Sequence, residues 1–141
     1  LIYPVIADHL DTPSMQKFAE GFGLERADMA WFITQYHGDT AAPQNPMHSP
    51  YYAETLNGLP KSIVVTAGFD PLHDEGEEYA KRLGSAGNTI EFRDFESLNH
   101  GFLMLAGIAP AAKAAQDEIL ELVKALCWGP ANTVTNAEKT H

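Results

Sequence analysis

The alternation of apolar and polar stretches along the chain predicts three short strands. The clearest covers Ser62 to Ala67, a run of β-branched and apolar residues that Gly68 closes. Another strand is expected over Thr89 to Phe95. Leu1 to Ile6 forms a continuous apolar run, which indicates a strand buried on both faces of a sheet. Three strands are few for a chain of 141 residues, so we expect them to belong to a larger sheet.

Helical patterns occupy much of the chain between and after these strands. Apolar residues at the i, i+3, i+4 and i+7 spacing predict a helix from about Glu25 to Tyr36. Further helices are expected over Pro71 to Ala86 and over Pro110 to about Trp128, with a short one starting near Thr12. The resulting order of strands and helices is that of an α/β fold with a parallel sheet.

Composition and charge narrow the classes of function. The chain is 45% hydrophobic, and no segment is long and apolar enough to cross a membrane. Its formal net charge of −10 disfavours a nucleic-acid partner, because phosphate neutralisation needs clustered Lys and Arg. Cys127 is the single cysteine, so an internal disulfide and a cysteine-based metal site are excluded. A free thiol fits a reducing compartment, and we expect a cytoplasmic protein.

Asp70 lies where the clearest strand passes into a helix, and ligands and catalytic groups collect at this edge of α/β sheets. A plainer interpretation is that Asp70 caps the helix, since Pro71 favours the first helical position and an aspartate before it can accept backbone N–H bonds. The two interpretations are compatible. A helix N-terminus stabilises a carboxylate anion, and a carboxylate that orients a histidine must stay ionised.

His100 lies in the loop after the next predicted strand and is followed by Gly101, which lets the backbone turn. Taken alone, it is best interpreted as an exposed or hydrogen-bonded loop histidine. Its position favours a catalytic interpretation, because Asp70 and His100 follow adjacent strands about 4.8 Å apart and their side chains can meet at one sheet edge. An acid followed along the chain by a histidine is the order found in a Ser-Asp-His triad.

Several motifs resemble the hormone-sensitive-lipase-like (bacterial family IV) esterases, which are α/β-hydrolases with a helical cap. They are Asp-Pro-Leu-His-Asp-Glu-Gly at 70–76, His-Gly-Phe at 100–102, Leu-Ile-Tyr-Pro at 1–4 and Trp-Phe at 31–32. The resemblance implies the C-terminal part of an α/β-hydrolase fold, with Asp70 as the triad acid and His100 as the general base. Asp74 and Glu75 resemble the family's structural acids, although complementing the dipole of a first helical turn explains them equally well. His73 stands where many relatives have Arg, and we assign it no catalytic role.

The resemblance also divides the chain into segments. Residues 1–8 are predicted to be a core strand, and 9–58 a cap-like helical segment and loop. Residues 59–128 are predicted to be the part of the catalytic core that carries acid and base, and 129–141 a flexible tail. Phe32 in the cap-like helix, and Leu72 and Phe102 next to the triad residues, are candidates to line the substrate pocket. Ordinary packing is the alternative for each.

The family's nucleophile is not found in this sequence. None of the five serines lies in a Gly-x-Ser-x-Gly context, and the His-Gly-Gly-Gly oxyanion motif is absent. Because the chain starts inside an apolar run, we expect Leu1 to be the cut end of a longer chain. The N-terminal part of the same enzyme then supplies serine and oxyanion hole, and residues 1–141 alone are inactive. The whole protein is expected to hydrolyse short to medium acyl esters without a metal or organic cofactor.

A function of another class is a dimerisation or assembly module. In this family the last strand and helix, here Thr89 to Phe95 and Pro110 to Trp128, often form a homodimer interface, and a truncated chain could retain that role alone. A zinc site is not expected, because the six histidines show no His-x-x-x-His spacing.

Overall fold

The computed structural model of the chain describes residues 1–8, 10–38 and 44–129. The helices are α1 (Pro13–Lys17), α2 (Arg26–His37), α3 (His73–Ser85) and α4 (Pro110–Trp128), and the strands are β1 (Ser62–Phe69) and β2 (Ile90–Asn99). Single helical turns cover Pro50–Tyr52 and Phe102–Leu105. Apart from Gly129, the predicted tail 129–141 lies outside the described residues, as do residues 9 and 39–43 of the cap-like segment.

The two strands form a parallel pair that is covered by a helix on each face. Alternate residues of a strand point to opposite faces, so the apolar run of β1 can serve two cores at once. The face turned to α4 joins Ile63, Val65 and Ala67 to Ala112, Ala115 and Ile119, and the opposite face joins Val64 to Tyr79, Ala80 and Leu83 of α3. The predicted α/β class with a parallel sheet is confirmed.

The strand predicted over Leu1 to Ile6 is reduced to a single bridge. Ile2 pairs in parallel with Val65, and the Tyr3 amide donates to the Val65 carbonyl at 2.7 Å. Pairing stops there because Tyr3 adopts a φ of 35° and the next residue is Pro4, which has no N–H to donate. Burial of this segment on both faces stays a prediction for the larger sheet, since within this chain alone Leu1 is 52% exposed and Val5 is 54% exposed.

Three element ends at the sheet edge differ from the sequence prediction. Strand β1 continues through Gly68 to Phe69 rather than ending at Ala67. Helix α3 begins at His73 rather than Pro71, because a tight turn comes first. Strand β2 continues to Asn99 rather than ending at Phe95, because pairing with β1 resumes after an irregularity. His100 therefore follows directly on the strand instead of lying in a longer loop.

Candidate functional site

A bulge in the strand pair controls where the two strands end. Beyond Ala67 the strands fall out of step, and Gly68 faces residues 96–98 of β2 before pairing resumes between Phe69 and Asn99. The β2 backbone approaches so closely that a Cβ on Gly68 would lie 2.2 Å from the carbonyl oxygen of residue 96. The bulge therefore requires glycine here, and residues 70 and 100 leave the sheet side by side.

Asp70 is buried in the turn that follows β1, with 1% of its surface exposed. Its Oδ1 accepts a hydrogen bond from the Leu72 amide at 2.8 Å, and its backbone carbonyl accepts one from the His73 amide at 3.1 Å. The N-cap position of α3 belongs to Leu72, so Asp70 closes a turn ahead of the helix instead of capping it. One carboxylate oxygen, Oδ2, remains for another partner.

His100 is that partner, with Nδ1 lying 2.8 Å from Oδ2 of Asp70. An ionised carboxylate only accepts hydrogen bonds, so this contact assigns the ring proton to Nδ1 and leaves Nε2 as a proton acceptor. Gly101 follows in the left-handed conformation with a φ of 74°. A quarter of the His100 side chain is exposed (25%), and within the described residues Asp70 is the ring's sole hydrogen-bond partner.

One aromatic ring packs directly on the imidazole, and a second packs on the first. The ring of Tyr3 lies 4.7 Å from that of His100, centroid to centroid, and 5.5 Å from that of Phe102. Sequence reasoning placed Tyr3 in a strand but did not link it to His100. Only the bridge between the N-terminal segment and β1 brings these distant residues together, and no spacing in the sequence signals that pairing.

Glu75, in the first turn of α3, is buried, and it binds the chain beyond Tyr3 rather than serving only the helix dipole. Its Oε1 accepts from the amides of Ile6 at 2.6 Å and Ala7 at 3.4 Å, while Oε2 has no partner within the described residues. Burial raises the pKa of Glu75 to about 7, opposed by the two backbone N–H donors. This carboxyl group ties the N-terminal segment to the helix next to Asp70.

The neighbouring acid, Asp74, ties down α1 instead. Its Oδ2 accepts from the Ser14 amide at 2.8 Å, and its other oxygen lies 3.0 Å from Nδ1 of His73. Burial works against ionisation of Asp74, but His73 and the Ser14 donors outweigh it and lower the pKa of Asp74. Burial likewise opposes charging of His73, while Asp74 and Asp94 raise its pKa overall. These groups form a structural network that links α1, α3 and β2.

A largely apolar cavity of about 580 Å³ lies beside α2. Met29, Phe32 and Ile33 line it from the helix, and Val5 and Ala7 line it from the N-terminal segment. The apolar positions of α2 therefore serve mainly as cavity lining, since Met29 is the helix's only buried residue. Phe32 is therefore part of the cavity lining, and its role as a substrate-pocket residue stays a prediction.

Leu72 and Phe102, the other two predicted pocket residues, do not line this cavity. Leu72 is 1% exposed and packs with Met15 and Met29, while Phe102 is fully buried (0% exposed) in the core beneath α4. Their closeness to residues 70 and 100 in sequence does not expose them, because both side chains point into the protein. Leu72 packs against Met29, which itself lines the cavity.

Three kinds of feature are not found among the described residues. Across residues 1–8, 10–38 and 44–129, no group of His, Cys, Asp or Glu side chains is arranged to hold a metal ion. No helix in the described part of the chain is long and apolar enough to cross a membrane. All five serines are described, and none hydrogen-bonds His100.

Comparison with known proteins gives consistent matches. A family model described as the alpha/beta hydrolase fold matches residues 1–104. The carboxylic ester hydrolase LipN of Mycobacterium tuberculosis is 42% identical over 126 residues, which cover 89% of this chain and 34% of LipN. The ethyl acetate hydrolase of Pseudomonas putida is 29% identical over 126 residues, covering 89% of this chain and 39% of that enzyme.

Solved structures agree with these sequence matches. A thermostable esterase from Pseudomonas putida ECU1011 superposes with a TM-score of 0.78 at 37% identity, over 84% of this chain and 38% of that one. A fungal esterase structure from Rhizomucor miehei gives a TM-score of 0.81 at 36% identity, over 88% of this chain and 39% of that one. The chain thus spans between a third and two fifths of the length of these relatives.

Proposed function

Because this chain belongs to the α/β-hydrolases, in their hormone-sensitive-lipase-like branch, we propose that it is the acid- and base-bearing part of a serine carboxylesterase. The observation that carries the proposal is the 2.8 Å contact between Asp70 and Nδ1 of His100. A buried carboxylate on one ring nitrogen, and an imidazole that is partly exposed, are what a general base of a triad needs.

In the proposed mechanism a serine outside these 141 residues attacks the ester carbonyl. Nε2 of His100 takes the serine proton as the new C–O bond forms, and then gives it to the leaving alcohol as the acyl–oxygen bond breaks. A water molecule then attacks the acyl carbon and loses a proton to Nε2. Nε2 returns that proton to the serine oxygen as the acyl–serine bond breaks and the carboxylic acid leaves. Asp70 keeps the ring oriented and balances its positive charge throughout. Backbone N–H groups outside this chain hold the oxyanion, and the chemistry needs no metal or organic cofactor.

The cavity beside α2 supports esters with short to medium acyl chains as the substrates. Its volume of about 580 Å³ falls within the range of small-molecule sites, and its lining is mainly apolar. Neither Asp70 nor His100 lines it, and its link to the proposed site runs through neighbouring residues. Val5 is two residues from Tyr3, which contacts His100, and Met29 packs against Leu72, which follows Asp70 closely.

Hydrolysis of p-nitrophenyl butyrate tests the proposal. Residues 1–141 alone are expected to be inactive, and activity is expected when an N-terminal part bearing Gly-x-Ser-x-Gly is supplied. In that complete enzyme, His100→Ala should abolish turnover. The matched control is His73→Ala, which also removes a histidine held by carboxylates yet should keep its activity. A fluorophosphonate probe should label the serine of the N-terminal part. Turnover by residues 1–141 alone that His100→Ala removes would overturn the division of the site between two parts.

A second candidate function is homodimer assembly through β2 and α4. Leu120 and Trp128 on α4 are 49% and 78% exposed, and in the described part of the chain β2 pairs with a strand on one side only. Analytical ultracentrifugation would separate the candidates. A dimer that Trp128→Ser dissociates, in a protein without esterase activity, would favour assembly over catalysis.

A further inference from the structure

Tyr3 packs against the one imidazole that the proposed mechanism uses. The two ring centroids lie 4.7 Å apart, with the planes tilted by 58°. Phe102 closes the other side of Tyr3 at 5.5 Å and 74°, so the tyrosine ring is held between His100 and the core. Tyr3 comes from the far end of the chain, and its backbone is held by other elements than the turn that carries His100.

The backbone around Tyr3 is fixed at several points. Its amide donates to the Val65 carbonyl at 2.7 Å, and the Val65 amide donates to the Leu1 carbonyl at 2.9 Å. Beyond Tyr3, Pro4 lies against Gly76 of α3, and Glu75 accepts hydrogen bonds from the amides of Ile6 and Ala7. The segment is therefore anchored to β1 on one side of Tyr3 and to α3 on the other.

Tyr3 itself adopts a left-handed φ of 35°, which is rare for a bulky residue and rarer still before proline. Such a conformation costs energy and persists only where its surroundings over-determine it, which is common at functional sites. Here the anchors on both sides impose the conformation, and its consequence is the ring's place against His100.

The aromatic contact matters most when His100 carries a proton. Asp70 balances the positive charge along one edge of the imidazolium. The π system of an aromatic ring also attracts a cation that lies within about 6 Å of it. The hydroxyl of Tyr3 does not compete with this effect. Burial, and then the negative charge of Asp70, raise the pKa of Tyr3, so the phenol remains neutral.

We propose, building on the proposed esterase function, that Tyr3 is a positioning residue that holds the His100 imidazole and stabilises its protonated form during proton transfer. The ring performs this role and the hydroxyl does not, since within the described residues the Tyr3 hydroxyl has no hydrogen-bond partner. Phenylalanine should therefore replace Tyr3, and an aliphatic side chain should not.

The test compares variants of the complete esterase by steady-state hydrolysis of p-nitrophenyl butyrate across pH. Tyr3→Leu should lower kcat by roughly 2- to 30-fold, the range that a cation–π contact supplies, with KM unchanged. The acidic limb of its pH profile should move to lower pH, which a loss of packing alone would not produce. Tyr3→Phe should keep kcat within about twofold of the parent. Tyr51→Leu is the matched control, because it removes a tyrosine ring that packs on Arg82 instead.

The outcomes separate this inference from the proposed function. If the complete protein hydrolyses the ester and His100→Ala abolishes turnover, but Tyr3→Leu matches the parent in kcat and pH profile, the role of Tyr3 is overturned while the esterase stands. If Tyr3→Leu does not fold, Tyr3→Phe decides, because a tenfold loss in that variant contradicts a role of the ring. If the complete protein lacks esterase activity altogether, both proposals fall.

Discussion

Adding one methyl group at Gly68 should disconnect the acid from the base. A Cβ there would lie 2.2 Å from the carbonyl oxygen and 2.5 Å from the Cα of Glu96, whereas non-bonded heavy atoms settle at roughly 3.5 Å. The strands must therefore separate by about 1 Å at the bulge. The next paired residues are Phe69 and Asn99, so the shift passes directly to Asp70 and His100.

A misplacement of about 1 Å in a catalytic group costs on the order of 100-fold in rate, and this is the loss of kcat expected for Gly68→Ala. The crowding should also lower the free energy of unfolding by about 1–3 kcal/mol. The assay is hydrolysis of p-nitrophenyl butyrate by the complete enzyme, combined with thermal unfolding to confirm that the variant is folded under assay conditions.

The matched control is Gly84→Ala in α3, where the added methyl group would meet no atom within 4 Å. Alanine is the better helix former by about 0.5–1 kcal/mol, so this variant should be slightly more stable and as active as the parent. If Gly68→Ala keeps parental kcat and stability, the close approach of the two strands at the bulge does not position the pair, and the argument fails.

Three further predictions concern the acids of this region, all measured in the complete enzyme. Asp70→Asn should lower kcat by a factor on the order of 10⁴ with KM little changed, because the amide favours the wrong imidazole tautomer; a loss below tenfold in steady-state kinetics would contradict the assigned role. Burial raises the pKa of Glu75 from 4.5 to about 7, so the folded protein holds this proton more tightly than the unfolded one and stability falls as pH rises across that interval. In Glu75→Gln this fall in stability, on the order of 3 kcal/mol, should disappear. The measurement is the free energy of unfolding by urea at pH 5 and at pH 8. If the difference between the two pH values is the same in the variant as in the parent, the prediction is refuted. Asp74→Ala should lower the free energy of unfolding by about 1–3 kcal/mol, because it leaves the Ser14 amide unpaired. Asp117 is an exposed acid on α4, and Asp117→Ala should change the free energy of unfolding by no more than about 0.5 kcal/mol. Equal effects of the two variants in urea unfolding would count against the network.

Much of the fold followed from the sequence pattern because the strongest signals coincide with the best-packed elements. The β-branched run of β1 is buried against both helices, and the predicted helix over Pro110 to Trp128 has the observed limits of α4. The contact between Asp70 and His100 could be anticipated because residues that end adjacent parallel strands meet at one edge. Their catalytic roles stay proposals until the variants are measured.

What the sequence pattern could not provide was the detail of backbone approach. The bulge depends on how closely two backbones meet at Gly68, and a glycine after a strand is just as typical of a simple strand end. The Leu1 to Ile6 segment is apolar enough for a strand, yet the conformation of Tyr3 ends its pairing after one bridge. The prediction that Phe102 lines the pocket rests on its closeness to His100 in the sequence. A side chain close to a site residue in the sequence can nevertheless point into the core, as that of Phe102 does.

The pair of Asp70 and His100 is contained in a single β1–α3–β2 unit, with acid and base 30 positions apart in the sequence. Closing a loop of that length carries a modest entropic cost, which grows only slowly with length. We therefore expect this half of the site to form early, as a product of local folding, once the two strands register. In the proposed enzyme, docking of the serine-bearing part is then expected as a later event in assembly. A fault in that docking would leave a correctly paired acid and base without a serine to activate.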